Sequence, residues 1–305
     1  MNMNIKNKLF IIAFLSTIIC SNVFAQNDGA GNTGLAFLKF GVGARAIAMG
    51  DAYSSVSEDA TAFIYNPARL NFGVKSNLSL MHNQSVQDMK TDFIALKFPL
   101  GTKLAIGIGL FSTSINGIEI RNTPGASVDK FDAKNLETGI SLGYMINKNF
   151  SIGVTGKFLF EKIYIDEASG LGFDIGTNYT KDNYSLSLVV SNLGSVNKLK
   201  NENTKLPSLV RIGGSYKFGK DKFGFTLGIE GLKVLDGGKL HLNAGGEAGY
   251  KNFVFLRVGY QTGYDNKGLT TGIGFKYKSV NVDYAFVPYK SEFGSSNSFS
   301  LGINF

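Results

Sequence analysis

The chain has one cysteine, no tryptophan, two histidines and five prolines in 305 residues. Its cysteine, Cys20, falls within the first 25 residues, so disulfides and thiolate metal sites are excluded from everything that follows. His82 and His241 lie on separate segments far apart in sequence, which leaves a metal centre without ligands. Beyond the N-terminus no apolar stretch reaches 18 residues, which excludes membrane-spanning helices. Lys and Arg never cluster in runs longer than two, so the net charge of +8 points to no nucleic-acid partner. The run Gly41-Val42-Gly43-Ala44-Arg45-Ala46 is no phosphate loop, since no lysine follows it and the strand–helix context is missing. His82-Asn83-Gln84-Ser85 has the residue types of a barrel phospholipase, but a polar run at a strand end explains it as well. No enzyme and no cofactor are expected.

The N-terminus predicts a leader over residues 1–25. Lys6 and Lys8 precede an apolar run from Leu9 to Ile19, and Val23-Phe24-Ala25 places small residues for cleavage before Gln26. Ile19 before Cys20 argues for ordinary cleavage rather than lipoprotein processing. Removing the leader takes the net charge to about +6.

What the chain has in abundance is glycine and aromatic rings: 38 Gly, 25 Phe and 13 Tyr. From about residue 74 onward, apolar residues alternate with small or polar ones. Leu104, Ile106, Ile108 and Leu110 flank Ala105, Gly107 and Gly109, and Leu269, Thr271, Ile273, Phe275 and Tyr277 repeat the pattern. Successive side chains of a strand point to opposite faces, so each segment has one oily and one small or polar face. The segments run about 10 to 14 residues, against roughly 5 to 6 in ordinary strands, and about 9 to 11 suffice to cross a bilayer. Tight turns at 147–149, 181–183, 219–222, 251–252 and 278–279 alternate with loops at 84–90, 121–134, 164–169, 193–207, 233–238, 262–267 and 287–296. Short periplasmic turns with longer outer loops mark outer-membrane barrels. The fold class expected is all-β: a 14-stranded antiparallel transmembrane β-barrel over residues 74–305, touching outer-membrane lipid. Residues 102–120 are read as one long strand. The closing alternation of Phe299, Leu301, Ile303 and Phe305 resembles the C-terminal signal for barrel insertion.

Residues 26–73 break the alternation. They are rich in Ala and punctuated by Gly, and support short helical turns at most. Irregular backbone at membrane depth must be buried in protein or line a cavity, so the segment is expected to plug the barrel lumen. Arg45, Asp51, Glu58, Asp59 and Arg69 would then pair with inward charges such as Lys157, Glu161, Asp174, Arg211, Glu230, Glu247, Arg257 and Asp283, since buried charges need partners.

The run FLKFGVGARAIAMGDAYSSVSEDATAFIYNPARL, residues 37–70, resembles the N-terminal signature of the PorV/PorQ family of Bacteroidota outer-membrane proteins, relatives of FadL-type transporters. Gly41, Gly43, Arg45, Met49 and Gly50 carry the opening motif, and Asp59 with Asn66-Pro67-Ala68 carries the motif shared with FadL-type plugs. Asp51 and Arg69 stand where that pattern has glycine. The resemblance implies a non-enzymatic outer-membrane component of type IX secretion or surface attachment, with the secretion machinery or its cargo as partner. The alternative is a FadL-like transporter with a hydrophobic ligand in the lumen.

Overall fold

The computed structural model describes residues 33–73, 75–202 and 204–305, so the leader over 1–25 and the first part of the expected plug lie outside the described residues. Fourteen strands follow one another around a closed barrel: β1 (Asn77–Gln84), β2 (Lys90–Leu100), β3 (Leu104–Ile120), β4 (Asp129–Met145), β5 (Phe150–Ile163), β6 (Asp166–Lys181), β7 (Tyr184–Val196), β8 (Leu209–Lys220), β9 (Phe223–Val234), β10 (Leu240–Tyr250), β11 (Val254–Gln261), β12 (Leu269–Tyr277), β13 (Val280–Pro288) and β14 (Ser295–Asn304). Each strand is antiparallel to the next, and β14 closes on β1 with Leu301 opposite Leu80 and Ile303 opposite Leu78. Closure leaves no sheet edge, so every strand finds backbone partners without water.

The alternation of the sequence becomes inside and outside. On β4, Ile140 and Leu142 face outward, 55% and 43% exposed, while Ser141 between them is fully buried in the lumen. Phe299 is 57% exposed on the same outer surface. A water-soluble sandwich would hide these side chains; here they form an apolar band facing acyl chains. Phe305 ends the chain beside Phe98, and its N–H donates to the Ser76 carbonyl at 3.0 Å.

Two strand starts differ most from the sequence reading. β4 starts at Asp129 rather than 134, and β6 at Asp166 rather than 170, so the loops expected at 121–134 and 164–169 are shorter. The cause in the first case is a bulge: pairing jumps from Ile115–Ala133 to Ile118–Phe131, with Gly117 at φ 69. The extra residue shifts the phase, so Ile118 and Ile120 fall on the lumen-side face and the run no longer reads as one alternating strand. The 102–120 segment is nevertheless a single strand, with Ser114 paired to both Lys90 and Lys134.

The hydrophobic core lies within the cylinder. Phe37, Val42, Ala44, Met49, Tyr53, Phe63 and Tyr65 are buried there, along with inward Phe93, Phe111 and Leu159. Residues 33–73 run from the long-loop end, where Gly34 donates to the Lys205 carbonyl, to the short-turn end, where Arg69 bonds Thr180 and Ser185.

Candidate functional site in the barrel lumen

The luminal segment is built from pieces too short to stand alone: α1 (Ala44–Ala48), α2 (Ala62–Tyr65), and single 3₁₀ turns at Ala36–Lys39 and Pro67–Asn71. Helices of four or five residues are unstable in water, so contacts with the wall must hold them. α1 is held at both ends by hydroxyls. The Ala44 N–H donates to Ser300 Oγ at 2.8 Å, and Thr270 Oγ1 donates to the Ala48 carbonyl at 2.9 Å. Past α1 the backbone lies directly on the wall: a Cβ on Gly245 would come within 2.1 Å of the Met49 carbonyl, and one on Gly259 within 2.2 Å of the Gly50 nitrogen. Inward glycines are therefore the surface on which the Met49-Gly50 backbone rests.

Arg45, at the start of α1, makes a two-pronged pair with Glu247 at 2.8 and 2.6 Å. Glu247 also accepts from Arg257 at 2.7 Å, and Arg257 donates to Asp283 at 2.7 Å. The result is a chain of four alternating charges that ties the segment to β10, β11 and β13. Bidentate, charge-assisted geometry of this kind is what keeps buried charges tolerable. Asp51 has φ 59, the left-handed conformation that favours glycine. Its carboxylate accepts from the Tyr65 hydroxyl at 2.7 Å and from Gln261 at 2.9 Å, while Tyr65 in turn accepts from the Val42 N–H at 3.1 Å. Ser54 N–H donates to Glu230 at 2.8 Å, and Glu230 is paired with Arg211 at 2.6 Å.

Asn66-Pro67-Ala68 is a cap. Asn66 Oδ1 accepts from the Ala68 N–H at 3.0 Å with Pro67 first in the turn, and Asn66 Nδ2 donates to the Ser54 and Thr177 carbonyls at 3.1 and 3.2 Å. A proline at that position loses no hydrogen bond, and its fixed φ suits the turn. Arg69, 1% exposed, donates to the Ser57 carbonyl at 2.9 Å and reaches Asn178, Thr180 and Ser185 at 3.3–3.4 Å. Its guanidinium also lies 3.5 Å from the Glu58 carboxylate. Glu58 is thus held between two cations, Arg69 of the segment and Lys217 of the wall.

Of the ion pairs expected between segment and wall, Arg45–Glu247 is present. Asp51 instead meets neutral donors, and Asp59 folds back on its neighbour Thr61. Lys157 pairs within the wall, with Asp174 at 2.9 Å and Glu137 at 3.4 Å. Two inward lysines escaped the sequence reading. Lys217 binds Glu58, and Lys97 donates to the Glu58 carbonyl at 2.7 Å and to that of Phe72. Their signal was parity, since Lys97 alternates in phase with the inward Phe93 and Ala95.

Space remains at each end. A cavity of about 230 Å³ opens at the long-loop end among Phe40, Ile47, Val86, Met89, Val287 and Phe293, with Asp51 and Gln261 also lining it. A wider recess of about 720 Å³ opens at the short-turn end beside Lys217, Thr226, Glu247 and Phe255. Neither contains a nucleophile next to a base. His82 faces outward, 2.7 Å from Asp92, while Ser85 meets the Tyr289 hydroxyl at 3.2 Å. His241 is buried and stacked on Tyr264 at 3.8 Å. Among the described residues, no group of three or more His, Cys, Asp or Glu is placed to hold a metal.

Residues 59–305 match the family model described as type IX secretion system membrane protein PorP/SprF. No curated protein matches the chain. Among solved structures it is similar to the CymD monoaromatic hydrocarbon channel, at 13% identity over 90% of this chain and 99% of that one, with a TM-score of 0.64. It is also similar to the Pseudomonas putida toluene transporter TodX, at 16% identity over 86% and 97% with a TM-score of 0.63. A Pseudomonas aeruginosa FadL homologue follows at 13% identity over 85% and 96%, with a TM-score of 0.53. At these identities the likeness is one of fold. Most of the motif carrying the PorV/PorQ resemblance precedes the matched span, and the family matched is PorP/SprF.

Proposed function

Because the chain belongs to the PorP/SprF family of type IX secretion system membrane proteins, we propose that this outer-membrane barrel binds protein for that system, as cargo receptor or as partner of another component, without catalysing a reaction. The observation carrying this reading is the filled lumen. The segment is bonded to strands all round the barrel, through Arg45–Glu247, Ser54–Glu230, Asn66–Thr177 and Ser151–Ala68, and it buries Met49, Tyr53, Phe63 and Tyr65 inside the cylinder. A barrel whose lumen is occupied in this way offers its rims and loops, and partners are what rims and loops engage. Within the system, a PorV- or PorQ-like place in cargo transfer or surface attachment is the finer reading that the N-terminal motif supports. Deleting the gene should leave type IX cargo unprocessed or unattached, and capture of the tagged barrel from native outer membranes should bring other secretion barrels with it. Normal cargo attachment in the deletion strain would remove the proposal.

The 230 Å³ cavity favours a second reading, a FadL-like transporter of hydrophobic small molecules, because Phe40, Ile47, Val86, Met89, Val287 and Phe293 give it an apolar wall. Vesicles bearing the barrel should take up a hydrophobic aromatic probe no faster than empty vesicles. Faster uptake would favour transport.

A further inference from the structure

Charge is divided unevenly between the two rims. Each of the six short turns or its flanks carries an exposed lysine: Lys103, Lys148, Lys181, Lys222, Lys251 and Lys278. Lys75, ahead of β1, and Lys220, at the end of β8, are exposed there too. Asp182 and Asp221 are the exposed acids on those turns. None of these lysines makes an ion pair among the described residues. At the long-loop rim, exposed acids are more frequent than on the short turns, and several hold basic residues: Glu167 with Lys162 at 2.6 Å, Asp132 with Lys134 at 3.2 Å, and Glu119 with both Arg121 and Lys130. The net positive charge of the barrel is thus concentrated on one rim.

That rim is also an aromatic belt. Tyr144, Tyr179, Tyr184, Phe218, Phe223, Tyr250, Phe253 and Tyr277 are exposed on the outer wall beside the turns. The ammonium groups of Lys251 and Lys278 each lie 5.4 Å from the ring centre of the tyrosine before them. Aromatic side chains settle at the headgroup level of a bilayer, and lysines next to them extend their charge to the phosphates. We infer that the short-turn rim is a binding surface for the phosphates of inner-leaflet phospholipids, selective for anionic headgroups. Even spacing around the circumference fits a leaflet, which surrounds the barrel, whereas a docked protein would concentrate charge on one arc. This assignment rests on the barrel and its orientation alone and stands apart from the secretion reading.

The test uses the full barrel in phosphatidylcholine vesicles containing spin-labelled phosphatidylcholine or phosphatidylglycerol, with the immobilised lipid fraction read by electron paramagnetic resonance. At low salt the barrel should select phosphatidylglycerol about five-fold, as roughly 1 kcal/mol per surface lysine allows, and high salt should weaken the preference. The variant Lys148→Gln, Lys181→Gln, Lys222→Gln, Lys251→Gln, Lys278→Gln should lose most of it. The control Lys198→Gln, Lys200→Gln, Lys205→Gln, at the other rim, should keep it. If the fivefold-substituted chain does not fold, Lys251→Gln alone should show a partial loss. Absence of preference in the unaltered barrel, or an undiminished preference in the rim variant, overturns the inference. So does polyglutamate binding without lipid selection, which would assign the rim to an acidic periplasmic polypeptide.

Discussion

The wall and the segment inside it obey opposite rules. The wall is repetitive: β4 alternates Ile140, Leu142 and Tyr144 outward with Ser141 and Gly143 inward, and each strand pairs only with its two neighbours. The segment is singular. Arg45, Asp51, Ser54, Asn66 and Arg69 each meet a different partner, most of them more than a hundred residues away in the chain. A repetitive structure distributes its stability, so one substitution is absorbed by its neighbours. A singular one depends on individual bonds, and its weakest points can be named.

The sharpest test of that contrast is Glu247→Ala, which should cost the most. Glu247 joins Arg45 of the segment to Arg257 of the wall, and removing it leaves two guanidinium groups facing one another without the carboxylate. Breaking a buried pair in this way costs about 3–5 kcal/mol. Urea unfolding in detergent should show the loss, and trypsin should gain access to Arg45 before the barrel itself opens. Simultaneous loss of segment and wall would mean that the two are one cooperative unit.

The two regions also differed in how far they could be read from sequence. Strand positions were legible because alternation is local: each outward Ile or Leu declares its own face. Legibility failed at the bulge, where Asn116 and Gly117 shift the phase and Phe131 no longer looks like a strand residue. For the segment, only its location followed, and that by exclusion. Its partners depend on register between distant strands, which no local pattern encodes; hence nothing local marks Lys97 and Lys217 as its partners, and Asp59, expected to meet a charge on the wall, bonds Thr61 instead. The two departures from the resembled motif have structural reasons. Asp51 takes the left-handed backbone that the pattern's glycine would take and adds a carboxylate that Tyr65 and Gln261 use. Arg69 fills its position with a guanidinium spread over the ends of β6 and β7.

The wall has its own breaking point, in its outer band. Ile140 lies in that band opposite Ile108, and Ile140→Arg should cost about 2–4 kcal/mol, the range for a cation near the bilayer midplane. The same substitution at exposed Ile165, in the turn between β5 and β6, should be nearly silent. Parallel unfolding in lipid vesicles measures both. Equal costs would mean that the apolar band does not extend where the exposure of Ile140 puts it.

The smallest effect expected is also the most specific. Asn66→Ala removes a cap worth about 1 kcal/mol and two further bonds, to the carbonyls of Ser54 and Thr177. Asn66→Asp keeps the oxygen that accepts from Ala68 and removes the amide that donates to both carbonyls. If the cap is what matters, Asp should restore most of the stability lost with Ala; if the bond to Thr177 is the tether, Asp should behave like Ala or worse, since a carboxylate would face two carbonyl oxygens. Hydrogen exchange at the Ala68 and Phe72 amides separates these outcomes, because the turn they belong to frays only when the cap is gone, whereas loss of the tether frees the segment from β6 with the turn intact.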